Sequence, residues 1–207
     1  MPNLCSNHVI ISGEAETIAL LADSFKRFFD HQNKPYVEIE RYIGFTEFAD
    51  TLLDQEFDKE KYDIYKYDTK WIDFWIEDQQ EREFTMNGTS AWSPPITFWL
   101  MLSEKYDLHI YTEFEESGFD FGGYIQMQSG EINEEEEYSF MQWQYITCSD
   151  YFFSMIDDQM NDYHFFEDYK TAEDFLKDFT YLKPEDKKYI TERYNNLKLE
   201  TKEHENN

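Results

Sequence analysis

Three groups of side chains in this sequence have the types and spacing to do chemistry. His109, Tyr111 and Glu113 alternate with apolar residues, so a strand there projects an imidazole, a phenol and a carboxylate from one face, within reach of a metal or a substrate. The same alternation fits the solvated face of a half-buried sheet. Thr69, Lys70, Trp71, Trp92 and Ser93 combine a cation and polar groups with large aromatic platforms, which suits either cation–π contact or plain packing. The third group is acidic: Glu134, Glu135, Glu136 and Glu137 run uninterrupted, Glu113, Glu115 and Glu116 precede them, and Asp157, Asp158, Asp162, Glu167 and Asp168 follow. The whole chain carries 45 Asp and Glu against 18 Lys and Arg, a formal charge of -27 over 207 residues.

Most familiar chemistries are excluded residue by residue. Gly122 and Gly123 stand alone, with no Lys-Ser or Lys-Thr pair behind them in phosphate-loop spacing. His8, His31, His164 and His204 show no zinc-ligand spacing, and the acidic stretch from Asp157 to Asp162 lacks the glycine of a calcium loop. Cys5 and Cys148 have no histidine partner in the pattern, and no Gly-x-Ser-x-Gly elbow occurs. Paired acids for glycosidic chemistry are defined by a three-dimensional separation that 45 candidates leave open. No catalytic residue, metal ligand or cofactor is therefore assigned, and the residues lean against an enzyme. A phosphate backbone is repelled by this charge, so direct nucleic-acid binding is disfavoured. Two cysteines without a disulfide framework, no apolar run of about 20 residues and no signal-like core after Met1 point to a cytoplasmic chain.

The positioning elements follow from periodicity. His8 to Ile11, closed by Ser12 and Gly13, reads as a strand, and Ile18, Leu21, Ala22, Phe25 and Phe28 or Phe29 mark one stripe of a helix. Val37 and Ile39 alternate with Glu38 and Glu40, and Phe45, Phe48, Leu52 and Leu53 give a short helical pattern. A second strand is expected through Tyr62, Ile64 and Tyr65, and a third from Glu83 to Met86, turned by Asn87-Gly88. Ser93-Pro94-Pro95 reads as a helix start, with the serine as cap and the helix ending near Lys105. Leu108 to Phe114 is the next strand. Tyr124 to Gln128, then Ser129-Gly130, then Tyr138 to Ile146 suggest a hairpin. Thr171 to Asp174 forms a capping box, Pro184 opens a last helix, and the tail from Glu200 is expected to fray.

Two strand–helix–strand passes predict an α+β fold: a ferredoxin-like split βαβ core, an antiparallel sheet with two helices on one face, extended by the hairpin and by a C-terminal helical, acidic-aromatic region. The expected organisation is a ferredoxin-like domain over residues 1–148 and a mainly helical acidic extension over residues 149–207, packed on the same domain. MPNLC at Met1 to Cys5, TKW at Thr69 to Trp71, AWSPP at Ala91 to Pro95, Tyr111 to Glu113, Gly118 and FGG at Phe121 to Gly123 occur in the order seen in the YubB ferredoxin-like domain family, which this chain resembles over roughly residues 1–130. It departs from that pattern at Leu4, where the family usually has Trp, and at Tyr67-Asp68, where it tends to have Trp-Gly. The resemblance implies a phage- or plasmid-borne protein inside a bacterial host, and no established catalysis.

Two functions follow from these readings. One is a non-enzymatic acidic binding protein of a mobile genetic element, in its most specific form a DNA-mimic-type inhibitor of a basic host protein that handles nucleic acid or serves in defence. Its acidic face would comprise Glu134 to Glu137, Asp157, Asp158, Asp162, Glu167 and Asp168, with Tyr151 to Phe153 and Tyr163 to Phe166 as desolvated anchors. The other is a small-molecule or nucleotide-binding protein or enzyme with a pocket around Lys70, Trp71, Trp92 and Tyr111, lined further by Thr69, Ser93 and Glu113. Acidity that serves solubility alone is the third account.

Overall fold

The structure is a computed structural model that describes residues 3–30, 38–58, 63, 65–162 and 164–205. It divides into two compact units, Met1–Phe140 and Met141–Asn207. The first is built in the order β1 (Leu4–Ser12), α1 (Ala15–Asp30), α2 (Glu38–Leu52), β2 (Ile72–Gln79), β3 (Glu83–Ala91), α3 (Ile96–Tyr106), β4 (His109–Glu116), β5 (Phe121–Gln128) and β6 (Glu131–Tyr138). The six strands form one sheet in the order β2-β3-β1-β4-β5-β6, every neighbouring pair antiparallel. The first four positions are the ferredoxin-like arrangement: α1 and α2 lie between β1 and β2 in the chain, α3 carries the chain from β3 across β1 to β4, and β3 and β1 are the two inner strands. The β5–β6 hairpin extends the β4 edge.

Alternation decides which side of the sheet is core. Cys5, Val9, Ile11, Phe84, Met86 and Ile110 are buried beneath the helices, together with Ile18, Leu21, Ala22 and Phe25 of α1, Phe45 and Ala49 of α2, and Phe98, Trp99 and Leu102 of α3. Phe25 sits at the centre, its ring within 6.3 Å of those of Phe48, Phe84, Phe98 and Trp99. Burying such rings contributes roughly 2–3 kcal/mol each, so the apolar stripe of α1 is what fixes the helix on the sheet.

Several elements differ from the sequence expectations, each for a physical reason. The strand expected through Tyr62, Ile64 and Tyr65 falls largely outside the described residues, Tyr65 lies in a turn, and the second strand is β2, ten residues later. Val37 is also outside the described residues, whereas Glu38 to Glu40 belong to α2, which runs into the predicted helical pattern at Phe45. Asn87-Gly88 is no turn; both sit inside β3, and the turn is at Gln80 to Arg82, closed by Gln80 N donating to Glu83 O at 3.0 Å or less (2.8 Å). Gly88 is required instead because a Cβ there would lie 2.2 Å from the Asp73 carbonyl oxygen and 2.3 Å from the Phe74 ring. The strand expected at Tyr138 to Ile146 is helix α4 (Phe140–Thr147), and the glutamate run is itself the edge strand β6. Glutamate has poor strand propensity, but pairing with β5 overrides it and an edge tolerates charge.

The second unit holds the rest of α4, then α5 (Ser149–Met160), α6 (Phe165–Asp168), α7 (Ala172–Leu176) and α8 (Pro184–Glu205). Thr171 caps α7 as expected, accepting from Asp174 N at 3.1 Å. The α8 backbone remains helical through Glu205, beyond the Glu200 at which fraying was expected. Its core is aromatic: Phe152, Phe165, Phe175, Phe179 and Tyr194 pack with Ile156, Met160 and Ile190. Phe152 and Phe165 are therefore core residues and not surface anchors, Tyr163 lies outside the described residues, and Tyr151 is exposed.

Candidate functional site

The face of the sheet opposite the helices brings together side chains that the sequence separates by more than 100 residues. Register places His8 beside both Asn87 and Glu113, Glu113 beside Tyr124, and Tyr124 beside Glu136; one step along, Ile10 neighbours Tyr111, which neighbours Gln126, which neighbours Glu134. The expected projection of His109, Tyr111 and Glu113 from one face of a strand is thus the observed one. Asn87 Oδ1, which can only accept, lies 2.6 Å from His8 Nδ1, so that nitrogen carries the proton.

Phenols, not cations, organise the carboxylates here. Tyr111 donates to Glu113 at 2.6 Å, Tyr124 to Glu134 at 2.7 Å, and Tyr138 to Glu136, while Gln126 Nε2 donates to Glu134 at 2.8 Å. The Tyr111 and Tyr124 rings are 5.8 Å apart. The hydrogen bond to Glu134, with some burial and the nearby Glu136 charge, pushes the Tyr124 phenol up to about 12. Burial first and then the Glu113 bond raise Tyr111, and the bond to Glu136 raises Tyr138. Each phenol remains a donor at neutral pH, and none cancels charge. None of the six strands contains a lysine or an arginine, while together they carry twelve aspartates and glutamates. Of these, Glu116 is structural: it is buried, and its carboxylate accepts from Gly118 N at 2.8 Å and from Phe119 N, closing the β4–β5 turn.

The second predicted group assembles elsewhere. Thr69 is buried and staples the chain, its hydroxyl donating to Ala91 O at 2.9 Å and toward Trp71 O at 3.1 Å. Ser93 does not cap α3; it donates to Asp68 O, and the cap is Asp68 itself, whose carboxylate accepts from Thr97 N at 2.6 Å. Lys70 Nζ lies 3.8 Å from the Trp92 ring centroid and 5.8 Å from that of Tyr65. Tyr111 and Glu113 do not join this group, since Tyr111 is level with Thr85 on β3, six residues or roughly 20 Å of strand from Ala91.

The predicted acidic set is distributed over both units. Glu134 to Glu137 belong to β6 of the first, and the other five belong to the second. There Arg193 pairs with Asp157 at 3.1 Å, Asp162 accepts from His164 N at 2.9 Å, and His164 Nδ1 faces Glu167 at 3.1 Å. Sequence reasoning missed a further polar cluster in the first unit. Asp50, 2% exposed, accepts from Lys66 Nζ at 2.6 Å and from Tyr67 at the floor of a cleft of about 350 Å³ that Thr46 and Phe57 also line. Burial, then Asp50, raises the Tyr67 phenol far above its ordinary value, so Tyr67 stays a donor to Asp50 and the triad clamps α2 to the following loop. No single-residue signal distinguishes Asp50 among so many acids. Burial raises the Cys5 thiol to about 12, which leaves it inert; Cys5 and Cys148 are both free. Among the described residues no cluster of His, Cys, Asp and Glu is arranged to hold a metal ion, and no helix is long and apolar enough to cross a membrane.

The fold and this sheet define a ferredoxin-like α+β protein. Residues 72–146 match the family model of the ferredoxin-like domain in Api92-like protein, a segment that starts at β2 and so leaves Met1 to Cys5 and Thr69 to Trp71 outside it. Among solved structures, the crystal structure of protein Api92 from Yersinia pseudotuberculosis is similar, at 10% sequence identity and a TM-score of 0.41, over 67% of this chain and 99% of that one. No curated protein is matched.

Proposed function

We propose that this chain is a non-enzymatic acidic binding protein of a mobile genetic element, as its likeness to the YubB ferredoxin-like family suggests, and that its open sheet face engages a basic host protein that handles nucleic acid or serves in defence. The observation that carries this reading is the complete absence of lysine and arginine from six strands that bear twelve acids. Ordered strands hold those charges at fixed intervals. On the open face the carboxylates of Glu134 and Glu136 recur at about 6.8 Å, twice the axial charge spacing of one strand of duplex DNA, about 3.4 Å. Such a surface attracts a nucleic-acid-binding groove with fast, salt-sensitive association. Tyr111 and Tyr124 add apolar contact area between the charges.

The test is affinity capture of the tagged chain from a bacterial lysate with elution in a salt gradient, beside a Glu113→Gln, Glu134→Gln, Glu136→Gln variant. Recovery of a basic nucleic-acid-binding protein at moderate salt by the wild type alone supports the reading. An empty capture at low salt, or the same capture by both proteins, overturns it.

A further inference from the structure

We propose that Tyr65 and Trp92 form a seat for an alkylammonium group, and that Lys70 of the same chain fills this seat in the free protein. The two rings are near-parallel, 21° between planes, with centroids 6.3 Å apart. Because the ammonium is 3.8 Å from one centroid and 5.8 Å from the other, distances that together exceed 6.3 Å, it is not sandwiched. It rests on the Trp92 face with the Tyr65 ring beside it; Tyr65 is 50% exposed, and Lys70 and Trp92 are half-buried.

Two further features separate this contact from ordinary packing. Among the described residues Lys70 forms no ion pair, in a chain with 45 acids, whereas Lys66 four residues earlier is tied to Asp50 at 2.6 Å. The ammonium thus faces aromatic rings and no described carboxylate, the recognition mode used for quaternary ammonium ligands. Trp92 also holds a φ of 71°, a left-handed conformation that glycine adopts freely and a bulky residue rarely does. Hydrogen bonds from Trp92 N to Asn3 O at 3.0 Å and from Ser90 Oγ to Ser93 O at 2.7 Å hold it there. Glycine would satisfy the backbone; what the strained residue adds is the indole face presented to a cation. A flexible four-carbon stem lets Lys70 leave without unfolding anything, so an external alkylammonium competes with an internal one.

The experiment uses the full chain and tetramethylammonium chloride at constant ionic strength of about 0.15 M, with saturation-transfer NMR read on the probe's methyl protons. Lys70→Met keeps the stem and removes the competitor, and Trp92→Gly suits the local backbone while deleting the floor. The expected result is saturable binding to Lys70→Met at least about tenfold tighter than to wild type, the cost of a seat that is mostly occupied, and none to Trp92→Gly with an unchanged circular dichroism spectrum. Equal binding by wild type and Lys70→Met, or binding that survives in the folded Trp92→Gly, overturns the proposal. This seat is independent of the acidic sheet face, and the Gln variants of that face leave its binding unchanged.

Discussion

Neutralising three carboxylates on the open face should make this protein more stable, the reverse of what most substitutions do. Glu134 and Glu136 are two residues apart on β6, about 6.8 Å, and Glu113 lies two strands from Glu136, about 9.6 Å. In a water-like dielectric these pairs repel by about 0.6 and 0.4 kcal/mol, and the Glu113–Glu134 diagonal adds roughly 0.3. With a Debye length of about 30 Å at 0.01 M salt, the sum is about 1 kcal/mol; with about 3 Å at 1 M salt it falls to roughly 0.1. Glutamine at all three positions keeps an oxygen that accepts from Tyr111, Tyr124 and Tyr138, so the hydrogen bonds survive and the repulsion does not. The Glu113→Gln, Glu134→Gln, Glu136→Gln variant should therefore melt about 3 °C higher at low salt and match the wild type at 1 M NaCl, by calorimetry. A variant less stable than wild type at low salt, or a difference that salt does not remove, would refute the view that these charges are held against their own repulsion.

Other consequences follow. Gly88→Ala drives a Cβ into the Asp73 carbonyl and should cost at least about 3 kcal/mol in denaturant unfolding, because the obstacle is backbone and cannot swing away. On raising pH the first unit should weaken, since Tyr111, Tyr124 and Tyr138 are all raised in the fold. Their contribution is complete below about pH 10, the unfolded tyrosine value, and is lost as pH climbs through the folded values, about 12 for Tyr124; tyrosinate absorbance at 295 nm beside circular dichroism reads both events. Glu135→Val with Glu137→Thr strips charge from the exposed edge of β6 and should shift the protein to larger species than the wild type by light scattering. Thr171→Ala should cost the second unit about 1 kcal/mol through loss of the α7 cap.

The frame was legible where a period was long and unbroken. The α1 stripe from Ile18 to Phe25 and the alternation from Leu108 to Phe114 each name their own buried face, and both appear as expected. Elements that depend on distant partners were not legible. Asn87-Gly88 carries the strongest local hairpin signal in the chain, yet β1 and β2 on either side hold it extended, with Gly88 present for close approach to β2. The α3 cap comes from Asp68, 29 residues before the Thr97 it serves, so a reading of the neighbourhood could find only Ser93. Tyr111 and Glu113 were visible as a pair, but their neighbours Tyr124, Glu134 and Glu136 join them only through register. The glutamate run was visible as charge and not as strand, because propensity argues against it.

Edge protection accounts for part of the charge on this sheet and leaves the rest unexplained. A strand at the rim is kept from pairing by any charge, and lysine serves at least as well as glutamate. Solubility likewise favours both signs interspersed. Glu135 and Glu137 on β6 fit those needs, but Glu113 and Glu115 lie on β4, two strands in from the rim, where no edge needs blunting. Neither need explains why 18 lysines and arginines elsewhere in the chain leave all six strands without one. A uniform sign on the strands, with neutral phenols beside Glu113, Glu134 and Glu136 where cations would stabilise more, is the feature that the proposed basic partner would answer.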